Sequence, residues 1–198
     1  MSATIDVTAR EEFVTALYAA LDAALAAELQ RLSARGVVPS CRSGCSTCCA
    51  QHIVTNRLEV HAIGQYVRRR FTPERIEALR MRACDWNRWE EAGRDGSVQP
   101  ATVDRRCPLL EGTTTCGIYP VRPLICRAHF VSSDPAWCRP ALTPDARAGV
   151  AHVLESVREV GAPFKRRMSD QDARTTGLPP EETVTLLPPG LAEEMGWE

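Results

Sequence analysis

The sequence predicts a mostly α fold, a small helical domain with irregular cysteine-rich loops. Three observations carry that expectation. Apolar residues recur at helical spacing in several long segments. Helix-start signals stand at the heads of those segments. The cysteines fall almost entirely in the stretches between them, which are crowded with Pro, Gly and Thr.

The first segment opens at Thr8 and Glu11, spaced as a capping box. Phe13, Leu17, Leu21, Ala24, Leu25, Leu29 and Leu32 then keep one face until Gly36. A leucine stripe of this kind is expected to pack on the rest of the chain. Next, "NRLEVHAIGQYVRRRF" repeats the pattern, with Asn56 and Glu59 as a second capping box and Leu58, Ala62, Ile63, Tyr66 and Val67 on one face. Thr72-Pro73 starts a third helix carrying Ile76, Leu79, Ala83 and Trp86 to about Gly93, proline being at ease in a first helical turn. Residues 93–106 read as a loop. A fourth helix is expected from Thr143-Pro144 to Gly161, and after it paired prolines and weak periodicity suggest an extended tail with a short strand over Thr183–Leu187. The expected organisation is an N-terminal amphipathic helix over 1–36 packed on the domain, a cysteine-bearing domain over 37–161 and an extended C-terminal tail over 162–198.

At 198 residues, 44% hydrophobic and 25% charged, the chain is long enough for one domain with a real core. Its formal net charge of −1 gives no bulk attraction to nucleic acid or to a membrane surface. "MSATIDVTAREEF" has no basic region followed by an apolar stretch, and no run approaches a membrane span, so a cytoplasmic protein is expected. In that compartment thiols stay reduced, and an odd count of nine cysteines could not pair off completely. Metal binding therefore stands ahead of disulfides.

The spacing sharpens this. Cys41, Cys45, Cys48 and Cys49 lie within nine positions, and Cys107, Cys116, Cys126 and Cys138 form a looser second group. Two residues between cysteines let both sulfurs reach one ion. Eight cysteines in two groups of four suggest either two tetrahedral thiolate sites or one multi-iron cluster with spare ligands. Sequence order does not say which cysteines share a site, and interleaving between the groups is as open as segregation. Cys84 stands apart from both. Cys45-Ser46-Thr47-Cys48 is formally a redox C-x-x-C, but no strand–helix pattern surrounds it and six clustered thiols would be left over. The three-cysteine signature of radical SAM enzymes is also matched, yet Thr47 stands where those enzymes carry an aromatic residue, and the chain lacks their strand–helix alternation.

Taken together, "CRSGCSTCC", "CPLL", "CGIYPVRPLICRAHF" and "WC" resemble the YkgJ-like cysteine-cluster family, a CxxCxxCC zinc- or iron-chelating domain. The resemblance runs from Cys41 to Cys138 and is carried most specifically by Cys116, Ile118, Tyr119, Arg122, Pro123, Cys126 and Arg127. It implies an iron–sulfur cluster, first of all [4Fe–4S], with zinc as the alternative, and a protein or redox partner. A four-thiolate site carries a net charge of about −2 by formal count, which neighbouring guanidinium groups would offset. Arg42, Arg105, Arg106, Arg122, Arg127 and Arg139 flank the cysteines, and Arg122 and Arg127 are the foremost candidates. His129 could serve as an imidazole ligand or stand beside the ligands, and His52 is read the same way. Tyr119, Trp86, Trp89 and Trp137 could shield a cluster or simply pack. There is no Ser/His/Asp set and no phosphate-binding glycine loop, so any catalysis would have to come from the metal.

Overall fold

The computed structural model describes residues 7–42, 44–94, 106–138 and 151–197. Its elements in order are α1 (Val7–Ala34), β1 (Val54–Asn56), α2 (Arg57–Arg70), α3 (Pro73–Arg94), β2 (Leu110–Glu111), β3 (Thr115–Cys116), α4 (Leu124–Arg127), α5 (Glu155–Thr176), β4 (Val184–Leu186) and α6 (Leu187–Met195). The architecture is mostly helical, and the strands form only two short antiparallel ribbons, β1 with β4 and β2 with β3. Among the described residues no helix is long and apolar enough to cross a membrane.

Helix α2 stands at the centre because both of its faces are apolar. Leu58 and Ala62 join one core with Val14, Leu17, Leu21 and Leu25 of α1, Leu124 of α4 and Val157 and Met168 of α5. Ile63 and Val67 join a second core with Leu79 of α3, Leu187 and Leu191 of α6, and Leu109 and Ile118 from the cysteine-rich loops. The Val, Leu, Ile and Met side chains among these each contribute about 1.5–3 kcal/mol by leaving water. The capping box at Asn56 and Glu59 forms as the spacing predicts. Asp172 of α5 adds a further cap, its Oδ2 accepting the Leu58 amide at 3.1 Å.

Three sequence-based expectations change. Thr8 lies within helix α1 rather than ahead of it, as Val7 before it is already helical. Residues 162–198 do not form an extended tail. Helix α5 runs through Gly161 and Pro163 to Thr176, where Gly177, at φ 72°, ends it. An interior proline costs a helix about 3 kcal/mol, which here is offset by packing along α1. Gly161 is a contact and not an end: a Cβ on it would come within 3.0 Å of the Ala128 Cβ. The paired prolines Pro188 and Pro189 begin α6, in the first turn, where missing amides cost nothing. The expected strand does form, as β4, paired in the register Val54 to Leu186. Of the loop expected at 93–106, residues 93 and 94 belong to α3 and 95–105 lie outside the described residues. The helix start expected at Thr143-Pro144 also lies outside them, while residues 151–154 are not helical and α5 begins at Glu155.

A carboxylate also lies inside this interior, that of Glu59, which is 2% exposed. It accepts hydrogen bonds from Tyr18 Oη of α1 at 3.0 Å, Thr55 Oγ1 at 2.8 Å, the Asn56 amide at 3.2 Å and the Leu124 amide of α4 at 2.7 Å. Glu59→Ala would orphan all four donors, and a buried donor without a partner costs about 1–3 kcal/mol. A loss of at least about 3 kcal/mol is expected from urea unfolding; a change within experimental error would contradict the role assigned to this carboxylate.

Candidate metal centre

The chain leaves α1 through Gly36 and is tied down at once by the Ser40 amide donating to Val131 O at 2.8 Å. The Cys41 Sγ accepts the Val131 amide at 3.4 Å and donates to His129 O at 3.9 Å. After the turn at Gly44, Cys45 lies with its Sγ 3.9 Å from Thr47 Oγ1, and Cys48 and Cys49 occupy a 3₁₀ turn over Thr47–Ala50. This turn is held from both sides. Ser46 Oγ donates to Thr113 O at 2.7 Å at the tip of the β2–β3 hairpin, and the Cys107 amide donates to Cys49 O at 2.7 Å. On the other flank, Gln51 Nε2 donates to Cys138 O at 2.7 Å.

The second group of cysteines rides on short pieces of structure, as its proline content requires. Cys116 sits in β3 opposite Leu110. Cys126 lies in the single turn of α4, and Cys138 ends a 3₁₀ turn over Pro135–Cys138. Helix α4 is clamped at both ends: Glu59 takes its first amide, and Arg127 reaches back to α1. Cys107 and Cys116 rest against the second core. All nine cysteines are free thiols, and Cys138 is the one that is buried outright.

Burial and proximity set the protonation of these thiols. Burial pushes Cys107 up to about 12, with the charges of Cys116 and Cys48 adding to it. Cys138 is pushed up to about 11 by burial and by Cys48, Cys41 and Cys45. Cys41, Cys116 and Cys126 are raised for the same first reason, and Cys48 is raised foremost by its hydrogen bond with Cys49. Opposing these, backbone amides at Val131, Leu109 and Ile118 and the guanidinium of Arg122 favour the thiolate.

The candidate polar neighbours separate into distinct roles. Arg122 lies over the Tyr119 ring, 3.8 Å from its centroid, and its charge acts on Cys116 and Cys48. Its Nε is buried without a partner. His129 Nε2 is likewise buried and unpartnered, and burial lowers its pKa, keeping the ring neutral. Arg127 departs from expectation. Its Nε donates to Arg122 O at 2.9 Å, one terminal nitrogen to Asp22 Oδ2 at 2.6 Å and the other to Pro120 O, so it clamps α4 to α1 instead of facing the thiols. Tyr119 is 57% exposed and shields nothing; it is the platform for Arg122. His52 is held by Glu90 Oε2 at 2.8 Å and stacks on Trp89, away from any ligand role. Trp86 and Trp89 are buried, whereas Trp137 is 40% exposed, edge-on to His152. Cys84 sits on α3 beside Arg80. Arg105 and Arg139 lie outside the described residues. The residue that sequence reasoning missed is Glu59, which was legible only as half of a capping box.

Soft thiolates suit zinc and iron rather than magnesium or calcium, and the two unpartnered nitrogens give a bound centre a neighbour to meet. Among the described residues no group of three or more His, Cys, Asp or Glu side chains is arranged so that it could hold a metal ion. A family model described as "CxxCxxCC: Putative zinc- or iron-chelating domain" matches residues 40–142, just over half of the chain. The chain belongs to this family. Neither the curated proteins nor the solved structures compared with it return a match. The CxxCxxCC domain thus begins in the loop that follows α1 and takes in α2, α3 and every cysteine.

A raised thiol pKa has a consequence for the metal-free domain. Unfolded thiols ionise near 9.0, whereas Cys138 and Cys107 hold their protons to about 11 and 12. Folding is therefore favoured below 9.0, and that contribution is lost as pH rises through this window. With a chelator present, the urea midpoint should be lower at pH 10 than at pH 8, by about 1 kcal/mol or more in stability; an equal or higher midpoint at pH 10 would show that these thiols are not held protonated.

Proposed function

We propose that this is a cytoplasmic iron–sulfur protein whose eight clustered cysteines hold the iron and whose role, redox or cluster-based, is exercised through a protein partner. One observation carries the reading: loops that bear the cysteines are tied to one another, by the Cys107 amide on Cys49 O, the Val131 amide on the Cys41 sulfur and Gln51 on Cys138 O, and Arg122 Nε and His129 Nε2 on the same stretch are buried with no hydrogen-bond partner. A zinc ion and a [4Fe–4S] cluster each take four thiolates, and the eight clustered cysteines exceed either requirement. When bound, an iron–sulfur cluster supplies one-electron chemistry at a potential set by charge, hydrogen bonding and exposure. The chain's own residues govern those terms here. The apolar side chains behind Cys107 and Cys116 exclude water, the Val131 amide donates to the Cys41 sulfur, and Arg122 contributes positive charge.

A zinc-stabilised module that binds a protein partner without redox chemistry is the second reading. It is favoured by the irregular backbone over residues 107–138, where the longest helix has four residues and an anchoring ion would hold loops that cannot hold themselves.

Anaerobic purification with elemental analysis separates the two. Brown protein containing iron and acid-labile sulfide is expected; colourless protein with stoichiometric zinc would replace the first reading by the second. Cys45→Ser and Cys126→Ser should each bind less metal than the parent protein, and Cys84→Ser should bind as much. Full metal content in both of the first two variants would sink the ligand assignment.

A further inference from the structure

Between α3 and the β2–β3 hairpin lies an open cavity of about 340 Å³, within the size range of small-molecule sites. Its apolar wall is made by Trp86 of α3, Pro108 and Leu110. Trp86 is held by edge-on contacts with Trp89 and His52, the ring centroids 5.8 and 5.5 Å apart. Gly112, in the hairpin turn, adds no side chain to the lining, and a Cβ there would meet nothing within 4 Å, so this edge is open. The polar part of the wall is biased to one sign. Arg82 and Arg106 both line the cavity, against a single carboxylate, Asp85. Main-chain oxygens aim the two guanidinium groups: Arg82 Nε donates to Pro108 O at 2.8 Å, and Arg106 Nη1 to Thr113 O at 3.1 Å. A neutral carbonyl fixes a guanidinium without cancelling its charge. Among the described residues the bond to Pro108 O is the one Arg82 makes, so its terminal nitrogens are left for another acceptor. Asp85 is already engaged by Arg88, one turn further along α3.

The geometry points to a binding site for a small organic anion, a carboxylate or phosphate group carried on a flat apolar body. The anionic group meets the terminal nitrogens of Arg82, whose planar fork matches either kind of anion. The apolar body lies against Trp86, Pro108 and Leu110. A bare inorganic ion would leave that wall unused, and an organic cation would face two guanidinium groups. The site stands independently of any metal on the cysteines. Its occupant braces the hairpin against α3, next to the Cys107 amide that ties down Cys49 O.

The test is a titration of the full chain with benzoate, phenyl phosphate and benzylamine, followed by saturation transfer to their ring protons, with inorganic phosphate as competitor. Both anions are expected to bind and benzylamine is not; the tighter of the two tells whether the group held is a carboxylate or a phosphate. Arg82→Gln, at an exposed position, should weaken the anions by roughly tenfold or more, and Arg82→Lys by less. Asp85→Asn, which removes the one carboxylate of the lining, should bind them at least as tightly as the parent. Circular dichroism checks that each variant is folded, and Asp85→Asn reads the charge preference without touching the bond to Pro108. No binding of either anion at millimolar concentration, equal binding of benzylamine, or unchanged affinity in folded Arg82→Gln would overturn the site. Anion binding weakened by Asp85→Asn would do the same. Inorganic phosphate competing as tightly as phenyl phosphate binds would overturn the organic class of the ligand.

Discussion

The buried carboxylate of Glu59 is the interaction on which the arrangement of the molecule turns. It sits where α1, β1, α2 and α4 converge and takes one donor from each of three neighbours in addition to capping its own helix. A carboxylate in so dry a place is costly unless its lone pairs are filled, and four donors fill them. The geometry this demands is specific: the first amide of α4 has to arrive within 2.7 Å of one oxygen. Cys126 follows two residues later, so the position of a candidate ligand is fixed by a residue whose four hydrogen bonds go to other groups. Arg127 completes the circuit, lying over the Tyr18 ring at 4.1 Å while Tyr18 donates to Glu59.

The cysteine loops are built differently from this interior. They contain little repeating structure, and their order comes from side chain-to-backbone and backbone-to-backbone bonds that cross long stretches of sequence, such as Ser46 to Thr113 and Gln51 to Cys138. Such bonds fix the backbone without saturating the sulfurs. The thiols are left partly buried with elevated proton affinity, a state that favours neutral sulfur until a cation replaces the protons. Arg122 acts against that trend on Cys116 and Cys48, supplying positive charge where several thiolates would otherwise repel one another.

Periodicity made α1, α2 and α3 legible in the sequence, because each presents an apolar stripe long enough to rise above local noise. The C-terminal helices were not legible in the same way. Gly161 and Pro163 read as a break, and Pro188-Pro189 as an extended linker, because the packing that carries α5 past its proline comes from α1, far away in sequence. The cysteine spacing pointed to a metal centre without assigning roles to its neighbours. Arg127 and Arg122 look alike in sequence, five residues apart beside cysteines, yet one has protein acceptors on all its nitrogens and the other keeps a buried Nε unpartnered. Only three-dimensional burial distinguishes them.

The pairing of chain ends has a temporal consequence. Helix α1 packs on α5, β1 pairs with β4, and α2 and α3 both pack on α6, so the segments that close both cores are synthesised after the cysteine-rich loops. Contacts of such sequence separation form late, and chains emerge from the ribosome in N-to-C order. Every cysteine is therefore synthesised before the helices that close the two cores. A nascent chain passes through an interval in which the cysteine loops are accessible and unsheltered, and the arrival of α5 and α6 closes that interval.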